Sequence, residues 1–153
     1  MLAKSLLLRG ALGAACGVLA AGAGLGAAPS RGPEITVYKS ATCGCCKQWI
    51  EHLTAAGFRV VAHDTPDLDA VMTETGVPRQ LAACHTALVR GYAIEGHVPA
   101  DLILRLLKER PAVAGLAVPG MPAGSPGMDG GAPTPYQVLR FDRAGKTAVY
   151  ATR

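Results

Sequence analysis

Three cysteines lie within four residues of this chain, in the stretch Thr42-Cys43-Gly44-Cys45-Cys46-Lys47. One further cysteine, Cys84, follows in the body of the sequence, and a fifth, Cys16, lies in an apolar N-terminal run. The thiolate is both the nucleophilic form of cysteine and the form that binds metals. A cluster of this density therefore predicts either thiol-disulfide exchange or the capture of a soft metal ion.

The spacing of the three cysteines helps to weigh these two kinds of chemistry. Cys43 and Cys46 form a Cys-x-x-Cys pair, which is typical of thiol-disulfide exchange when it follows a strand and opens a helix. Cys45 would compete with such a pair, whereas three sulfur atoms from one turn suit Cu(I) or another soft cation and are able to bridge ions. A zinc or iron-sulfur module stays open, although structural zinc usually takes its ligands as two separate pairs. In the purely structural alternative, Cys43 or Cys45 is bonded to Cys84 and the others pair locally.

The cluster lies between a predicted strand and a predicted helix. Residues 34–39 alternate apolar and polar side chains, which predicts a strand, and residues 45–56 carry apolar side chains at helical spacing. Thr42 is the predicted cap of this helix. The unpaired N–H groups at the start of a helix, together with Lys47, favour thiolate over thiol.

The rest of the chain predicts an α/β protein. The later elements are a strand at 58–63, a helix at 68–75 capped by Asp67, strands at 86–90 and 92–95, a helix at 100–109, a Gly/Pro-rich loop at 112–135 and a final hairpin of strands at 136–141 and 147–151. A right-handed crossover makes the first two strands parallel, and the next two add antiparallel partners. The order βαβαββα, with cysteines after the first strand, predicts a thioredoxin-like fold with a mixed sheet, a long Gly/Pro loop and an added C-terminal hairpin.

Three further side chains are candidates for the same site. In a thioredoxin-like fold, the segment that enters the third strand lies against the turn that carries the cysteines, here residues 42–47, which we call the cysteine turn. This arrangement brings Cys84 to the cluster. The fourth strand should run parallel to the first, so His97 emerges at the same edge, either as a metal ligand or hydrogen-bonded to backbone. Met121 offers a thioether that either binds Cu(I) or holds the Gly/Pro loop on apolar surface. His85 is expected to point away, since neighbours in an extended segment face opposite sides.

The N-terminal segment is typical of an export signal. Lys4 and Arg9 precede an apolar run, residues 11–28, that ends in small residues. Residues 1–28 are the predicted signal peptide, which would take Cys16 with it, and residues 29–153 the mature metal-binding domain. A periplasmic protein without stable membrane insertion is expected, and retention of the run as a membrane anchor is the second interpretation.

Composition argues against a nucleic-acid partner. The formal net charge is +4, no block of like charges occurs, and only 5% of the residues are aromatic. Neither a basic footprint nor a stacking surface for single strands is therefore predicted. No Ser-His-Asp constellation, phosphate-binding loop or pair of carboxylates stands out, so we predict no catalytic residues and no organic cofactor.

Four stretches carry most of these candidates: Tyr38-Lys39-Ser40-Ala41-Thr42-Cys43-Gly44-Cys45-Cys46, Cys84-His85-Thr86-Ala87, Glu95-Gly96-His97-Val98-Pro99 and Gly115-Leu116-Ala117-Val118-Pro119-Gly120-Met121-Pro122. In this order they closely resemble the CopG-like family of bacterial periplasmic copper-resistance proteins, long described as a domain of unknown function. The resemblance implies a thioredoxin fold in which cysteines hold a multinuclear copper cluster.

The resemblance also implies which residues bind copper. Carried over by motif, the ligands are Cys43, Cys45, Cys46 and Cys84, joined at the rim by His97 and Met121. Copper, as several Cu(I) ions, and other copper-resistance proteins of the envelope are the implied partners, and interconversion of Cu(I) and Cu(II) stays open. A copper-binding envelope protein is thus the leading hypothesis. An envelope thiol-disulfide oxidoreductase that uses Cys43 and Cys46 is its main alternative.

Overall fold

Seven strands and three α-helices make up residues 32–153, the part of the chain that the computed structural model describes. The strands are β1 (Glu34–Lys39), β2 (Arg59–Asp64), β3 (His85–Val89), β4 (Tyr92–Glu95), β5 (Gly115–Ala117), β6 (Gln137–Phe141) and β7 (Thr147–Thr152). The helices are α1 (Gly44–Ala55), α2 (Leu68–Thr75) and α3 (Ala100–Glu109), with a 3-10 turn at Arg79–Leu81. The predicted signal peptide and Cys16 lie outside the described residues. Among the helices of residues 32–153, none has the length and apolar character to cross a membrane.

All seven strands join one sheet in the order β2-β1-β3-β4-β5-β6-β7. β1 pairs parallel with β2 and antiparallel with β3, and β4 runs antiparallel to β3. The ends of β1 and β4 therefore meet at one edge of the sheet, with the start of β3 between them. The mixed sheet and the order βαβαββα, as far as α3, are those that the sequence predicted.

β5 is a strand in a segment for which the sequence predicted only a loop. It pairs parallel with β4 and antiparallel with β6, so the C-terminal hairpin continues the main sheet. All three of its residues are buried. A three-residue strand is too short to show a periodicity in sequence, which is why the pattern missed it. The long loop predicted between α3 and the hairpin is therefore interrupted by this strand.

Helices cover both faces of the sheet. The larger core packs α1 and α3 on one face and includes Ile35, Val37, Trp49, Leu53, Ile94, Ile103, Leu106 and Leu116. A smaller core under α2 contains Met72, Val77, Leu81, Ala93, Ala117 and Phe141. Because both faces are covered, most residues of β3 and β4 are buried, and buried residues alternate with partly buried ones along β1.

The starts of two helices follow different caps. Asp67 accepts a hydrogen bond from the Ala70 N–H at 2.9 Å and caps α2, as predicted. The prediction that Thr42 caps α1 is wrong, because α1 begins at Gly44 and the residue before it, Cys43, is the cap. The Cys43 sulfur accepts a hydrogen bond from the Cys46 N–H at 3.3 Å. The Cys43 sulfur thereby pairs with one of the N–H groups that have no partner within the helix.

Candidate metal centre

The cysteine turn joins the end of β1 to the first turn of α1. Cys43 and Cys46 are linked by a disulfide bond, and Cys45 is a free thiol. The Cys45 sulfur lies 3.5 Å from the Cys43 sulfur. Pairing of Cys84 with Cys43 or Cys45, an alternative open from the sequence, is not observed. The bonded pair is instead the Cys-x-x-Cys pair.

Cys84 reaches the turn from the start of β3. Its sulfur lies 3.8 Å from the Cys45 sulfur, and its carbonyl oxygen lies 3.5 Å from the Cys46 sulfur. The sulfur atoms of all four cysteines lie within 4.8 Å of one another. The approach of Cys84 to the cysteine turn is thus as predicted from the topology.

His97 contacts the cysteine group at the end of β4. Its Nδ1 lies 2.7 Å from the Pro126 carbonyl oxygen. Since a carbonyl only accepts hydrogen bonds, Nδ1 carries the proton in the neutral ring, and Nε2 keeps its lone pair. Nε2 lies 3.0 Å from the Cys84 sulfur. The Pro126 carbonyl therefore fixes the tautomer that presents Nε2 to the sulfur cluster, as outer-shell partners of metal-binding histidines do.

His85 also belongs to the site, against the expectation that it points away. Its Nδ1 lies 3.3 Å from the Cys84 sulfur, and its ring packs on Trp49 with a centroid distance of 4.3 Å. Ligand atoms of Cys84, His85 and His97 lie within 4.8 Å of one another. The prediction from alternating side chains is wrong here because it holds only within a strand. Cys84 lies in a bend directly before β3 and is not a paired strand residue.

The His85 ring nitrogen Nε2 is buried and, among residues 32–153, has no hydrogen-bond partner. Buried polar atoms are nearly always satisfied, so this nitrogen is unusual, while the other ring nitrogen, Nδ1, is the one that faces the Cys84 sulfur. Burial and the neighbouring His97 lower the pKa of His85 to about 3, and burial also lowers the pKa of His97. Both rings are neutral at physiological pH, the form in which imidazole binds metals.

Glu95 is a buried acidic residue for which no motif in the sequence indicated a role. Its carboxylate accepts hydrogen bonds from the Ala83 N–H at 2.7 Å and from the Thr86 hydroxyl at 2.6 Å. These two partners flank Cys84 and His85, so Glu95 holds the segment that carries both. A glutamate in the otherwise apolar strand Tyr92-Ala93-Ile94-Glu95 is the sequence signal that could have identified it.

Burial controls the protonation of Cys84. Loss of solvent contact, and then the neighbouring Cys45 thiol, raise the pKa of Cys84 to about 12. This is the opposite of the shift expected for thiols at a helix start, because Cys84 lies ahead of a strand and receives no helix N–H groups. The metal-free thiol is protonated at neutral pH and would lose its proton to a metal ion on binding.

A segment of the long loop, residues 125–128, closes over the cysteine turn; we call it the strap. A Cβ atom on Gly127 would lie 2.8 Å from both the Cys45 carbonyl oxygen and the Trp49 backbone nitrogen. Gly127 also has φ +84°, which disfavours other residues. Only glycine therefore lets the strap approach α1 closely enough for Pro126 to reach His97.

Met121 lies before the strap in the same loop, with its side chain 52% exposed. Its thioether is thus free of the packed core, and its role as a ligand stays a prediction. The structure brings the cysteines and His97 together with His85, a histidine that the alternation of side chains predicted to point away.

Taken with the sheet, these contacts define an α/β protein with a thiol- and imidazole-rich candidate metal site at one edge. Residues 81–128 match a family model described as "Protein of unknown function, DUF411". Two solved structures, named "Copper resistance protein copG", Form 1 and Form 2, are each 48% identical to the chain. Both alignments cover 79% of this chain and 98% of the other, with TM-scores of 0.74 and 0.75. A comparison with curated proteins found no match.

The chain therefore belongs to the family of the copper resistance protein CopG, which confirms the resemblance seen in its motifs.

Proposed function

We propose that this protein binds copper in the bacterial cell envelope as part of copper resistance, holding several Cu(I) ions in a cluster bridged by cysteine sulfur. The supporting observation is that the sulfur atoms of Cys43, Cys45, Cys46 and Cys84 converge within 4.8 Å. Thiolates are the soft ligands that Cu(I) prefers, and one thiolate is able to bridge two ions. Identity of 48% with a copper resistance protein favours copper over other soft metals.

Two kinds of side chain complete the proposed ligand set. His97 presents Nε2 to the Cys84 sulfur, and His85 has a ring nitrogen without a partner among the described residues. Met121 lies in the loop that carries the strap, and its exposed thioether is able to close on an ion at the rim. The proposed ligands are thus thiolate sulfur atoms at the centre of the site, with imidazole nitrogen and thioether sulfur at its edge, and all of these ligand types suit copper.

The disulfide links metal binding to redox state. Reduction of the Cys43–Cys46 bond takes up two electrons and two protons and yields two thiols, which must lose their protons to bind Cu(I). In the reverse direction, two thiolates that form the bond release two electrons, which reduce two Cu(II) ions to two Cu(I) ions. The exchange of two electrons between this pair and two copper ions therefore balances, whereas loading of the cluster with Cu(I) first requires a thiol reductant that supplies two electrons to the disulfide.

Export to the periplasm is part of the same proposal. Residues 1–28 have the pattern of a signal peptide, and disulfide bonds persist in oxidising compartments. Copper itself and other copper-resistance proteins of the envelope are the partners we propose.

Cys84→Ser is the direct test of the four-cysteine site. The serine hydroxyl is a poor ligand for Cu(I), so we expect the variant, purified and reduced without oxygen, to bind fewer copper ions or to bind them at least tenfold more weakly. Metal analysis and titration against a competing Cu(I) chelator measure both quantities. Ala82→Ser, at the exposed position two residues earlier, is the matched control and should bind copper like the unmodified protein. Unchanged copper stoichiometry and affinity in Cys84→Ser would show that the proposed site is wrong.

A thiol-disulfide oxidoreductase is the second candidate, because the Cys43–Cys46 disulfide lies at the start of α1. This function predicts reduction of a disulfide substrate in the absence of copper, with loss of that activity in Cys46→Ser. The zinc and iron-sulfur alternatives are separated by metal content and by the visible spectrum. Copper binding that weakens in Cys84→Ser selects the copper site, metal-independent disulfide reduction that is lost in Cys46→Ser selects the oxidoreductase, and bound zinc or iron selects the third function.

A further inference from the structure

The end of the sheet opposite the cysteine site carries a cluster of positive charges. β1 and β4 end at the site, so the β3–β4 turn, the end of α3 and the β6–β7 turn lie at the other end. We call this end the basic pole; its exposed cations are Arg90, Lys108, Arg110, Arg140, Arg143 and Lys146. They come from three separate segments that only the fold brings to one end of the molecule.

These six cations make no ion pairs with the described residues. The five ion pairs found within residues 32–153 use Lys39, Arg59, Arg79, Arg105 and Arg153 instead. Among the acidic groups toward this end, Glu34 pairs with Arg59 and Glu109 pairs with Arg105. Asp142, which accepts backbone N–H groups from Ala144 and Lys146, and exposed Glu74 in the last turn of α2 make no ion pair with the described residues. Six unpaired cations therefore dominate the charge of the basic pole.

Two adjoining cavities lie among these cations. Arg90 and Arg110 line a cavity of about 430 Å³, and Arg140 and Lys146 line one of about 280 Å³. The two cavities share Val113 as a wall. Guanidinium and ammonium groups thus border recesses of a size that admits a phosphate headgroup, a preferred partner of arginine.

The chain enters the domain at this same end. The Pro33 carbonyl accepts a hydrogen bond from the Arg59 N–H at the start of β1 and β2. In the sequence, only residues 29–31 separate the apolar run 11–28 from the described residues. Three extended residues span about 10 Å at most. A membrane that held the apolar run would therefore lie next to the basic pole.

We propose that the basic pole binds an anionic phospholipid surface and turns the cysteine site away from the membrane. Each Lys or Arg close to such a surface contributes about a fivefold gain in affinity, and the effect is local because screening acts over about 8 Å at physiological salt. A protein partner fits this end less well. Among residues 32–153, the exposed large apolar side chains are Leu104, Met121 and Val149, none of them in the basic pole, and stable protein interfaces need an apolar centre.

Vesicle binding tests the proposal independently of copper. The protein, in the processed form isolated from the envelope of producing cells, is sedimented with phosphatidylglycerol/phosphatidylcholine vesicles and with pure phosphatidylcholine vesicles. We expect binding that needs phosphatidylglycerol and falls at high salt. The triple variant Arg110→Gln, Arg140→Gln, Lys146→Gln should bind roughly a hundredfold more weakly.

The matched control removes the same charge at the opposite end of the sheet, through Lys39→Gln, Lys47→Gln and Arg153→Gln. The affinity of this control for the vesicles should stay within about threefold of that of the unmodified protein, because those cations lie away from the basic pole. Equal loss of binding in both triple variants, or binding that does not depend on phosphatidylglycerol, would overturn the proposal. Binding to polyglutamate is measured in parallel. If the first triple variant lost binding to polyglutamate but kept its binding to vesicles, the proposal would also be overturned, and the basic pole would be assigned to an acidic polypeptide.

A measurement on the unmodified protein guards against misfolding of the variants. Hydrogen exchange in the presence of vesicles should slow at the Arg90-Gly91 turn and at residues 142–146, and should not change at residues 41–47. Protection of the cysteine turn in place of the basic pole would contradict the proposed orientation.

Discussion

Glu95 is the buried carboxyl group that positions Cys84 and His85. Burial raises the pKa of Glu95 to about 7, while hydrogen bonds from Thr86 and the Ala83 N–H act in the opposite direction. The folded protein therefore binds the Glu95 proton more tightly than the unfolded chain, whose glutamates titrate near 4.5. The stability that Glu95 contributes is fully present below pH 4.5 and is lost as the pH rises through about 7.

The first prediction concerns this pH dependence. Between pH 4.5 and pH 8, the Glu95 contribution to the free energy of unfolding should fall by up to about 3 kcal/mol. Glu95→Gln should remove that change, since its amide is uncharged and still able to bond with Ala83 and Thr86. Urea unfolding of the reduced, metal-free protein at several pH values measures the effect.

Other groups also titrate in this range, so the relevant quantity is the difference between the two proteins. The histidines with lowered pKa are common to both and cancel in that difference. If the two proteins showed parallel stability profiles between pH 4.5 and pH 8, Glu95 would not carry the raised pKa.

The strap is the loop segment that packs over the cysteine turn and holds His97 in place. It supplies the Pro126 carbonyl that fixes the His97 tautomer, and it packs on α1 through Gly127. Trp49 secures the neighbouring segment, since its indole N–H donates to the Val98 carbonyl at 2.9 Å. The strap, α1 and the end of β4 therefore act as one unit around the cluster.

Gly127→Ala tests the role of the strap. The added methyl group meets backbone atoms at 2.8 Å and the left-handed φ is unfavourable, so we expect a loss of about 2 kcal/mol in stability. If the proposed copper site is right, Cu(I) affinity should also fall about tenfold as Pro126 moves away from His97. Thermal unfolding and chelator competition measure the two effects.

Gly130→Ala is the control in the same loop. No atom lies within 4 Å of a Cβ at this position and its φ is not left-handed, so stability and copper affinity should change little. Similar effects in the two variants would mean that the loop responds to any substitution and that the strap contact is not specific.

The whole described molecule is one continuous sheet with cores on both faces. β5 connects strands β1 to β4 with the C-terminal hairpin, and Phe141 of β6, 1% exposed, packs in the core under α2. A Cβ on Gly115 would lie 2.8 Å from the Phe141 ring, so the two strands pack with no free space. We therefore expect the hairpin and the cysteine site to unfold together.

Phe141→Ala should lower the free energy of unfolding by about 3 to 4 kcal/mol, because it leaves a cavity in a closed core. Trp49 is the single tryptophan of the chain and is buried in the opposite core. Its fluorescence and the far-ultraviolet circular dichroism should report one coincident transition at the lower stability. Val149→Ala, at an exposed position in the same hairpin, should change stability by less than about 1 kcal/mol. Separate transitions for the two signals would contradict a single cooperative unit.

The sequence by itself determined the order of the elements and the centre of the site. Alternation in β1, helical spacing in α1 and glycine or proline at the turns are local signals, and they predicted the strands and helices to within a residue or two. The topology of the mixed sheet then placed Cys84 and His97 beside the cysteine turn, since the ends of β1 and β4 and the start of β3 share one edge. The motifs identified the family, which the comparisons confirmed.

Only the tertiary structure decided which other groups lie beside the cysteines and His97. β5 is too short for a pattern, and His85 and Glu95 depend on how the chain enters β3 and on which groups burial leaves in hydrogen-bond reach. The six cations of the basic pole are scattered over nearly sixty residues and form no run, so no local pattern predicted a charged surface. Secondary structure follows from interactions between near neighbours in the chain, whereas burial, proton affinity and surface charge depend on residues that only folding brings together.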